Sequence, residues 1–279
     1  MSSILTNSSA MSALSTLRNI NNNLSETQSR ISTGLKVQSG KDNAAYFTIS
    51  ESMKSDSGMY KAIDEGLTLT KNSVATARLG AETVMDLANQ FSERVAFAQG
   101  DAVDRTEIQK ELVGLVERMT TTIVQSTFNG DDLVNADGLT AGGAAVNVVT
   151  GITRSGGAFA TTTMTFNSVD LTAIRDTLAA IDVSTSIDLA ADLSTAEAQL
   201  STATSAATSL GVAEKSIETQ QEFLSALTEN LDSGVGAMID ADMEEEAARL
   251  QALQVQQQLA TQSLSIANQA PQSILSLFR

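Results

Sequence analysis

Apolar residues in this chain recur alternately three and four positions apart. That spacing lays a narrow stripe along one side of a helix and makes the seam of a coiled coil. The first stripe reads Leu14, Leu17, Asn21, Leu24, Gln28, Ile31, Leu35, with Asn21 and Gln28 as polar interruptions of the kind that set register. Gly34 falls near its end, and Ser39-Gly40-Lys41-Asp42 reads as a turn. The cleanest stripe follows: Leu67, Thr70, Val74, Ala77, Ala81, Val84, Ala88, Phe91, Val95, Ala98, stopping at Gly100-Asp101. A third runs Ile108, Leu112, Leu115, Met119, Thr122, Ser126 and closes at Phe128-Asn129-Gly130. The short gap between the second and third predicts an antiparallel helical hairpin.

Residues 131–170 change character: they are rich in Gly, Ala and Thr, and they alternate. Val146 and Val148 point one way, Thr163 to Phe166 alternate again, and Arg154-Ser155-Gly156-Gly157 between them reads as a turn, which predicts a β-hairpin. Helical spacing resumes near Leu171 and becomes regular from Leu200 through Ala203, Ala207, Leu210, Glu214, Ile217, Gln221, Leu224, Thr228 and Leu231. Asp232-Ser233-Gly234-Val235-Gly236 is expected to loosen the chain. The last helix begins at Asp242, with Glu245 three residues on as in a capping box. Its seam is Leu250, Leu253, Gln257, Ala260, Leu264, Ala267. A second apolar line, Val255, Leu259, Ile266, lies on another face, and one partner helix cannot bury both.

The predicted fold is mainly α. Long antiparallel helices carry a coiled-coil pairing of the N- and C-terminal segments, with a small central β-hairpin region. Residues 1–45 and 240–279 form the paired terminal helices, 46–130 and 171–239 a long-helix body, and 131–170 the hairpin.

Composition narrows the chemistry. The chain has no His, Cys or Trp, one Pro, and 4% aromatic residues, so its core is aliphatic and extended. Without His or Cys there is no Ser–His or Cys–His nucleophile and no His- or Cys-based zinc site, and an enzyme is disfavoured. A net charge of −16 disfavours nucleic acid and anionic membranes. No apolar run is long enough to span a bilayer, and the N-terminus lacks the basic and apolar regions of a cleavable secretory signal. Asp240, Asp242, Glu244 and Glu245 alternate like a calcium loop. Position six would be Glu245 where Gly is needed, so a capped, solvated helix start is the favoured reading and no metal or cofactor is expected. Asn7-Ser8-Ser9 and Asn23-Leu24-Ser25 match an N-glycosylation pattern within segments expected to be covered, and Thr161, Thr162 and Thr163 are candidate O-glycan sites.

Four stretches together resemble bacterial flagellin. Ser29-Arg30-Ile31-Ser32-Thr33-Gly34-Leu35-Lys36-Val37 through Lys41-Asp42-Asn43-Ala44-Ala45 is similar to the family's N-terminal signature, and Gln125-Ser126-Thr127-Phe128-Asn129-Gly130 to its QTxFNG hairpin end. Leu210-Gly211 before a heptad helix, and Asn268-Gln269-Ala270-Pro271-Gln272 through Arg279, are similar to its return helix and terminus. The resemblance implies a structural subunit of the flagellar filament, serving motility and secreted to the extracellular flagellum by type III export. It also implies other flagellin subunits, hook–filament junction proteins and cap proteins as partners, and an export chaperone at the C-terminal segment. The paired ends would form the inner filament tubes and the middle would face solvent. The alternatives are a hook–filament junction protein and a secreted helical effector or adhesin. The Gln90–Val95 stretch departs from the R-x-E-L pattern that innate immune receptors read in many flagellins. Expected subunit contacts are Leu14, Leu17, Leu24, Ile31 and Leu35 in the first helix, and Leu250, Leu253, Leu259, Leu264, Ile266, Ile274 and Leu277 in the last.

Overall fold

A computed structural model of the chain describes residues 7–100, 103–135, 144–155 and 158–277, with backbone alone at 154, 155, 158 and 270–277. Six helices and two small hairpins are present among the described residues. Helix α1 (Ser8–Thr33) starts where Asn7 accepts the Ala10 N–H at 3.0 Å. It ends at Gly34, whose φ of 72° lets its N–H close on Arg30 O at 2.8 Å. Helix α2 (Ala44–Phe97) starts at Asn43, and α3 (Arg105–Gln125) at Asp104, each accepting N–H groups of its first turn. Strands β1 (Thr127–Phe128) and β2 (Asp131–Asp132) pair across Asn129 and Gly130, both with positive φ, 53° and 83°. Two central residues with positive φ are what a tight two-residue hairpin demands, and Asn-Gly supplies them. The Phe128-Asn129-Gly130 stop is therefore a turn, as read, but inside a miniature hairpin. Strands β3 (Ala145–Ser155) and β4 (Ala158–Asn167) pair antiparallel, then come α4 (Leu171–Ala179), α5 (Leu189–Ile239) and α6 (Met243–Leu277). The mainly α fold with a central β-hairpin is the predicted one.

The chain divides into two compact units, Met1–Ser57 with Asn230–Arg279, and Gly58–Glu229. Helices α2 and α5 supply residues to both.

In Gly58–Glu229, nine of the ten predicted α2 seam residues are at most 1% exposed, and only Thr70 is half-buried. From α3 come Ile108, Leu112, Leu115, Met119 and Ile123, and from α5 Ala203, Leu210, Ile217 and Leu224, all buried in one cluster. Each fully buried Leu, Ile, Val or Phe stabilises the fold by about 1.5–3 kcal/mol. The antiparallel order of α2 and α3 is fixed at one end by Arg94 Nε to Glu111 Oε2 (3.2 Å) and at the other by Gly80 against Ser126. Helices α2 and α5 are also antiparallel, joined by Arg78 Nε to Glu214 Oε2 (2.6 Å), Lys71 Nζ to Glu218 Oε1 (3.7 Å) and Gln221 Nε2 to Thr68 Oγ1 (2.8 Å).

The β3–β4 ribbon lays Val146, Val148, Met164 and Phe166 on the helical core and turns Thr161, Thr163 and Thr165 outward. A register shift between Val149 and Gly151 lets Thr150 O and Ile152 O meet Gln220 Nε2 (2.8 Å) and the Tyr60 hydroxyl (3.1 Å). Arg154 and Ser155, read as turn residues, belong to β3; Gly156 and Gly157 lie outside the described residues.

Three expectations need correction. The stretch from Leu171 is two helices, because Asp182 and Asp188 close a loop and start α5 at Leu189. Helix α5 does not loosen at Gly234 and Gly236: it runs to Ile239. A Cβ would sit 2.9 Å from Met53 Cε at Gly234 and 2.7 Å from Asp240 Oδ2 at Gly236, both free ends of side chains that can turn aside. In α1, Asn21 and Gln28 are exposed, while Ile20 is half-buried and Thr27 buried. A 3-4 and a 4-3 register both pass through Leu17, Leu24 and Ile31, and the chain adopts the one that turns Ile20 inward.

Gly80 is the most crowded glycine of the body, because a Cβ there would lie 2.6 Å from Ser126 Cβ, an atom that no rotamer moves away. Gly80→Ala is expected to lower stability by about 1–3 kcal/mol despite alanine's higher helix propensity. Thermal unfolding checks this, and Gly80→Ala with Ser126→Gly should recover most of the loss.

Candidate functional site

The unit Met1–Ser57 with Asn230–Arg279 is built on α1 and α6 lying antiparallel. Asn7 Nδ2 donates to Ala267 O (2.8 Å), Gln257 Nε2 to Asn21 Oδ1 (2.8 Å), and Arg30 Nη1 to Glu246 Oε1 (3.1 Å). Leu35 and Asp240 close the pair with an antiparallel bridge. Below it, Lys36 N and Val37 N reach Ile239 O (2.6 and 3.3 Å), and Ala241 N reaches Gly34 O (2.9 Å). A small core of Val37, Val235 and Ile239, with Phe47 and Met53, holds this base. Asp42 braces the turn beside it by accepting Gln38 N (3.1 Å), Ser39 N (3.0 Å) and Ser39 Oγ (3.1 Å).

Helix α6 starts as read, with Asp242 Oδ1 accepting Glu244 N (3.0 Å) and Glu245 N (3.2 Å). The reciprocal half of a capping box is not formed, because Glu245 Oε1 accepts from Arg249 instead. Among the described residues no group of three or more His, Cys, Asp or Glu is placed to hold a metal ion. Asn7, part of a glycosylation pattern, spends its amide on the cap and on Ala267.

The α6 seam is turned inward along its predicted line. Leu253 is buried, and Leu250, Gln257, Ala260, Leu264 and Ala267 are half-buried. Opposite them, Leu17, Leu24, Ile31 and Leu35 are half-buried, whereas Leu14 is 38% exposed. The second line is bare: Val255, Leu259 and Ile266 are 56%, 59% and 69% exposed. The side chains of Ile274 and Leu277 lie outside the described residues. The predicted contact residues thus fall into a set that closes α1 on α6 and a set, Leu14, Leu259 and Ile266, that faces outward.

The model of the bacterial flagellin N-terminal helical region matches residues 4–137, and that of the C-terminal helical region matches residues 193–278. A flagellin of Brucella melitensis is 40% identical over 286 aligned positions, covering 100% of both chains. This chain belongs to the bacterial flagellins. It is a structural subunit of the flagellar filament. Flagellin FljM of Caulobacter vibrioides is 33% identical, covering 100% of this chain and 99% of its own length. Flagellin A of Rhizobium meliloti is 31% identical with full coverage of both chains, over 395 aligned positions against the 279 residues here. The two family models leave residues 138–192 between them, so this flagellin is matched through both helical ends, and the hairpin and α4 lie in the unmatched middle.

Arg30 bonds Glu26 (2.5 Å) on its own helix and Glu246 on α6, and the Glu246 side chain is only 7% exposed. Burial alone would lower the Arg30 guanidinium, but its hydrogen bond to Glu246 and the charges of Glu26 and Glu246 outweigh this and raise it. Glu246 Oε2 is buried with no hydrogen-bond partner among the described residues, so this carboxylate depends on Arg30 and, at 3.7 Å, on Arg249. Arg30 stands in the N-terminal signature, but its pairing with Glu246 is not marked in the sequence, because the partners stand 216 positions apart.

Two predictions follow from this geometry. Arg30→Met leaves a buried carboxylate without its closest cation and is expected to destabilise the terminal pair by roughly 2–4 kcal/mol. Arg30→Met with Glu246→Leu should recover most of that loss, and chemical denaturation of the two variants checks it. The second concerns acid. Hydrogen bonds from Gln38 and Ser39 hold the Asp42 carboxyl below its ordinary value of 3.8, and those from Ser184 and Thr185 do the same at Asp182. A depressed carboxyl pKa adds stability above the unfolded value, and that stability is lost as pH falls through the folded one. With no His in the chain, stability is expected to be flat from about pH 8 to about pH 5 and to fall below about pH 4. Circular dichroism across that range checks it, and Asp42→Asn should blunt the acid loss.

Proposed function

We propose that this flagellin polymerises through the outward faces of its terminal helix pair. The observation that carries the reading is the bare α6 line Val255, Leu259 and Ile266 beside a seam that is already occupied. Apolar side chains along one face, left uncovered by their own helix partner, are stabilised when other copies cover them. The charge distribution supports the same surface. Residues 1–25 contain one charged side chain, Arg18, and residues 250–278 contain none, in a chain of net charge −16. Identical helices can pack there with little like-charge repulsion.

In this reading, residues 1–45 and 240–279 form the inner tube of the filament, 46–130 and 171–239 its body, and 131–170 faces solvent. Leu14, Leu259 and Ile266, with Ile274 and Leu277, contact neighbouring subunits, and the half-buried seam residues hold the pair that presents them. The subunit leaves the cell unfolded by type III export, with a chaperone on its C-terminal segment, and meets hook–filament junction and cap proteins at the ends of the filament. A chain without disulfides and with few bulky aromatics suits passage through a narrow channel. It acts without catalysis, in keeping with the absence of His and Cys.

Electron microscopy of the purified subunit seeded with flagellar fragments is expected to show long filaments growing from the seeds. Leu24→Pro or Leu264→Pro breaks a terminal helix and is expected to abolish growth while Gly58–Glu229 stays folded by circular dichroism and limited proteolysis. Normal elongation by either variant would count against the terminal pair as the polymerising surface.

A further inference from the structure

The base of the terminal pair rests on very little apolar cover. Among the described residues of that unit, Val37, Val235 and Ile239 form the one buried hydrophobic cluster. Four half-buried side chains wrap it, Leu35, Phe47, Met53 and Met238, and two of the four are thioethers. Met53, on α2, lies directly over the α5 backbone, since a Cβ at Gly234 would come 2.9 Å from its Cε. Met238 precedes Ile239, whose carbonyl takes both Lys36 N and Val37 N. The two thioethers thus belong to the contact by which the end of α5 holds the link from α1 to α2.

With no Cys in the chain, methionine is its only sulfur. A thioether packs as an apolar side chain, whereas its sulfoxide is polar and disrupts apolar contacts. The effect depends on what surrounds the sulfur. In the other unit, Met119 is fully buried, out of reach of a solute, and Met85 and Met164 lean on a large core drawn from α2, α3, α4 and α5. At the base of the pair the thioethers are half-buried, within reach of a small solute, and only three buried residues lie beneath them. Met11 and Met243, 65% and 46% exposed, are reached as readily but belong to neither buried cluster, so their oxidation leaves this base intact.

We propose that Met53 and Met238 are a peroxide-sensitive modification site whose oxidation opens the base of the terminal pair. A sulfur lone pair attacks one oxygen of hydrogen peroxide. The S–O bond forms as the O–O bond breaks, and the departing hydroxide takes the remaining proton and leaves as water. Sulfur is oxidised to the sulfoxide and the peroxide is reduced, so no further reactant enters. The new oxygen needs water or a donor, and the side chains of Leu35, Val37, Phe47, Val235 and Ile239 are hydrocarbon and offer none. The oxidised side chain therefore turns out to solvent and uncovers Val235 and Ile239. The bonds from Lys36 N and Val37 N to Ile239 O, and from Ala241 N to Gly34 O, then lose their cover. The opening stands on the geometry of this base alone; its consequence for polymerisation rests on the reading of the terminal pair given above.

The purified subunit is treated with excess hydrogen peroxide and followed by peptide mass and amide hydrogen exchange. Sulfoxide is expected at Met53 and Met238 while Met119 stays reduced. The amides of Lys36, Val37 and Ala241 should then exchange about tenfold or more faster, with residues 67–98 unchanged. Met53→Leu with Met238→Leu keeps the wrapping apolar and is expected to hold slow exchange in peroxide, although Met11 and Met243 still oxidise. Met238→Gln, polar like the sulfoxide, should speed exchange at the same amides with no peroxide present. Met53 and Met238 left reduced, or oxidised with exchange unchanged, would overturn the proposal. So would equal loss of protection in the double Leu variant, or slow exchange in Met238→Gln. Oxidised subunit that opens at the base yet elongates seeds at the untreated rate would instead overturn the terminal pair as the polymerising surface.

Discussion

Like-charge repulsion is the constraint on which the rest of this flagellin depends. A filament brings identical surfaces together many times over, and each copy carries a net charge of −16. Two unit charges 4 Å apart repel by about 1 kcal/mol even in water, and by several times that where a contact excludes it. In the proposed contact, charge is kept off the face that the terminal pair offers to neighbours. Helix α6 places Glu244, Glu245, Glu246 and Arg249 in its first two turns and no charge from Leu250 to Phe278. Gln, Ser, Thr and Asn keep that length soluble without charging it. The acidic start complements the positive end of the helix dipole, and its most buried member, Glu246, is tied to Arg30 across the pair.

The body solves a related difficulty. Its helices carry many Ser and Thr residues, which would be poor helix formers if their hydroxyls competed for backbone groups. Thr76, Thr83, Thr121, Thr204, Thr208, Ser216 and Thr219 each donate to a carbonyl four residues back on their own helix. A hydroxyl bonded in this way can be covered without leaving an unpaired donor. Several core positions on α2 are small, with Ala77, Ala81 and Ala88 fully buried and Gly80 against Ser126. Close helix approach takes the place of aromatic bulk in a chain that is 4% aromatic.

Legibility followed the strength of local signals. Leu67 to Ala98 could be read residue by residue because nearly every inward position is apolar and the 3-4 spacing never slips. The α6 seam was readable even through Gln257. Helix α1 was ambiguous because two registers share Leu17, Leu24 and Ile31, and choosing Ile20 over Asn21 needs the partner helix. Gly234 and Gly236 read as breakers because glycine usually is one, yet α5 runs through both to Ile239. Asn7 as a cap was within reach of the Asn-Ser-Ser start of α1. The Arg30–Glu246 bridge was not, since it depends on residues brought together only by the fold.

If the terminal pair polymerises as proposed, the outward α6 line, bare in the single chain, is covered in the filament. Amide hydrogen exchange along residues 250–269, compared between free subunit and filament, tests it most directly. Exchange there is expected to slow at least about a hundredfold on assembly, with residues 67–98 changing little. Equal exchange of residues 250–269 in both states would contradict it and place the polymerising surface elsewhere.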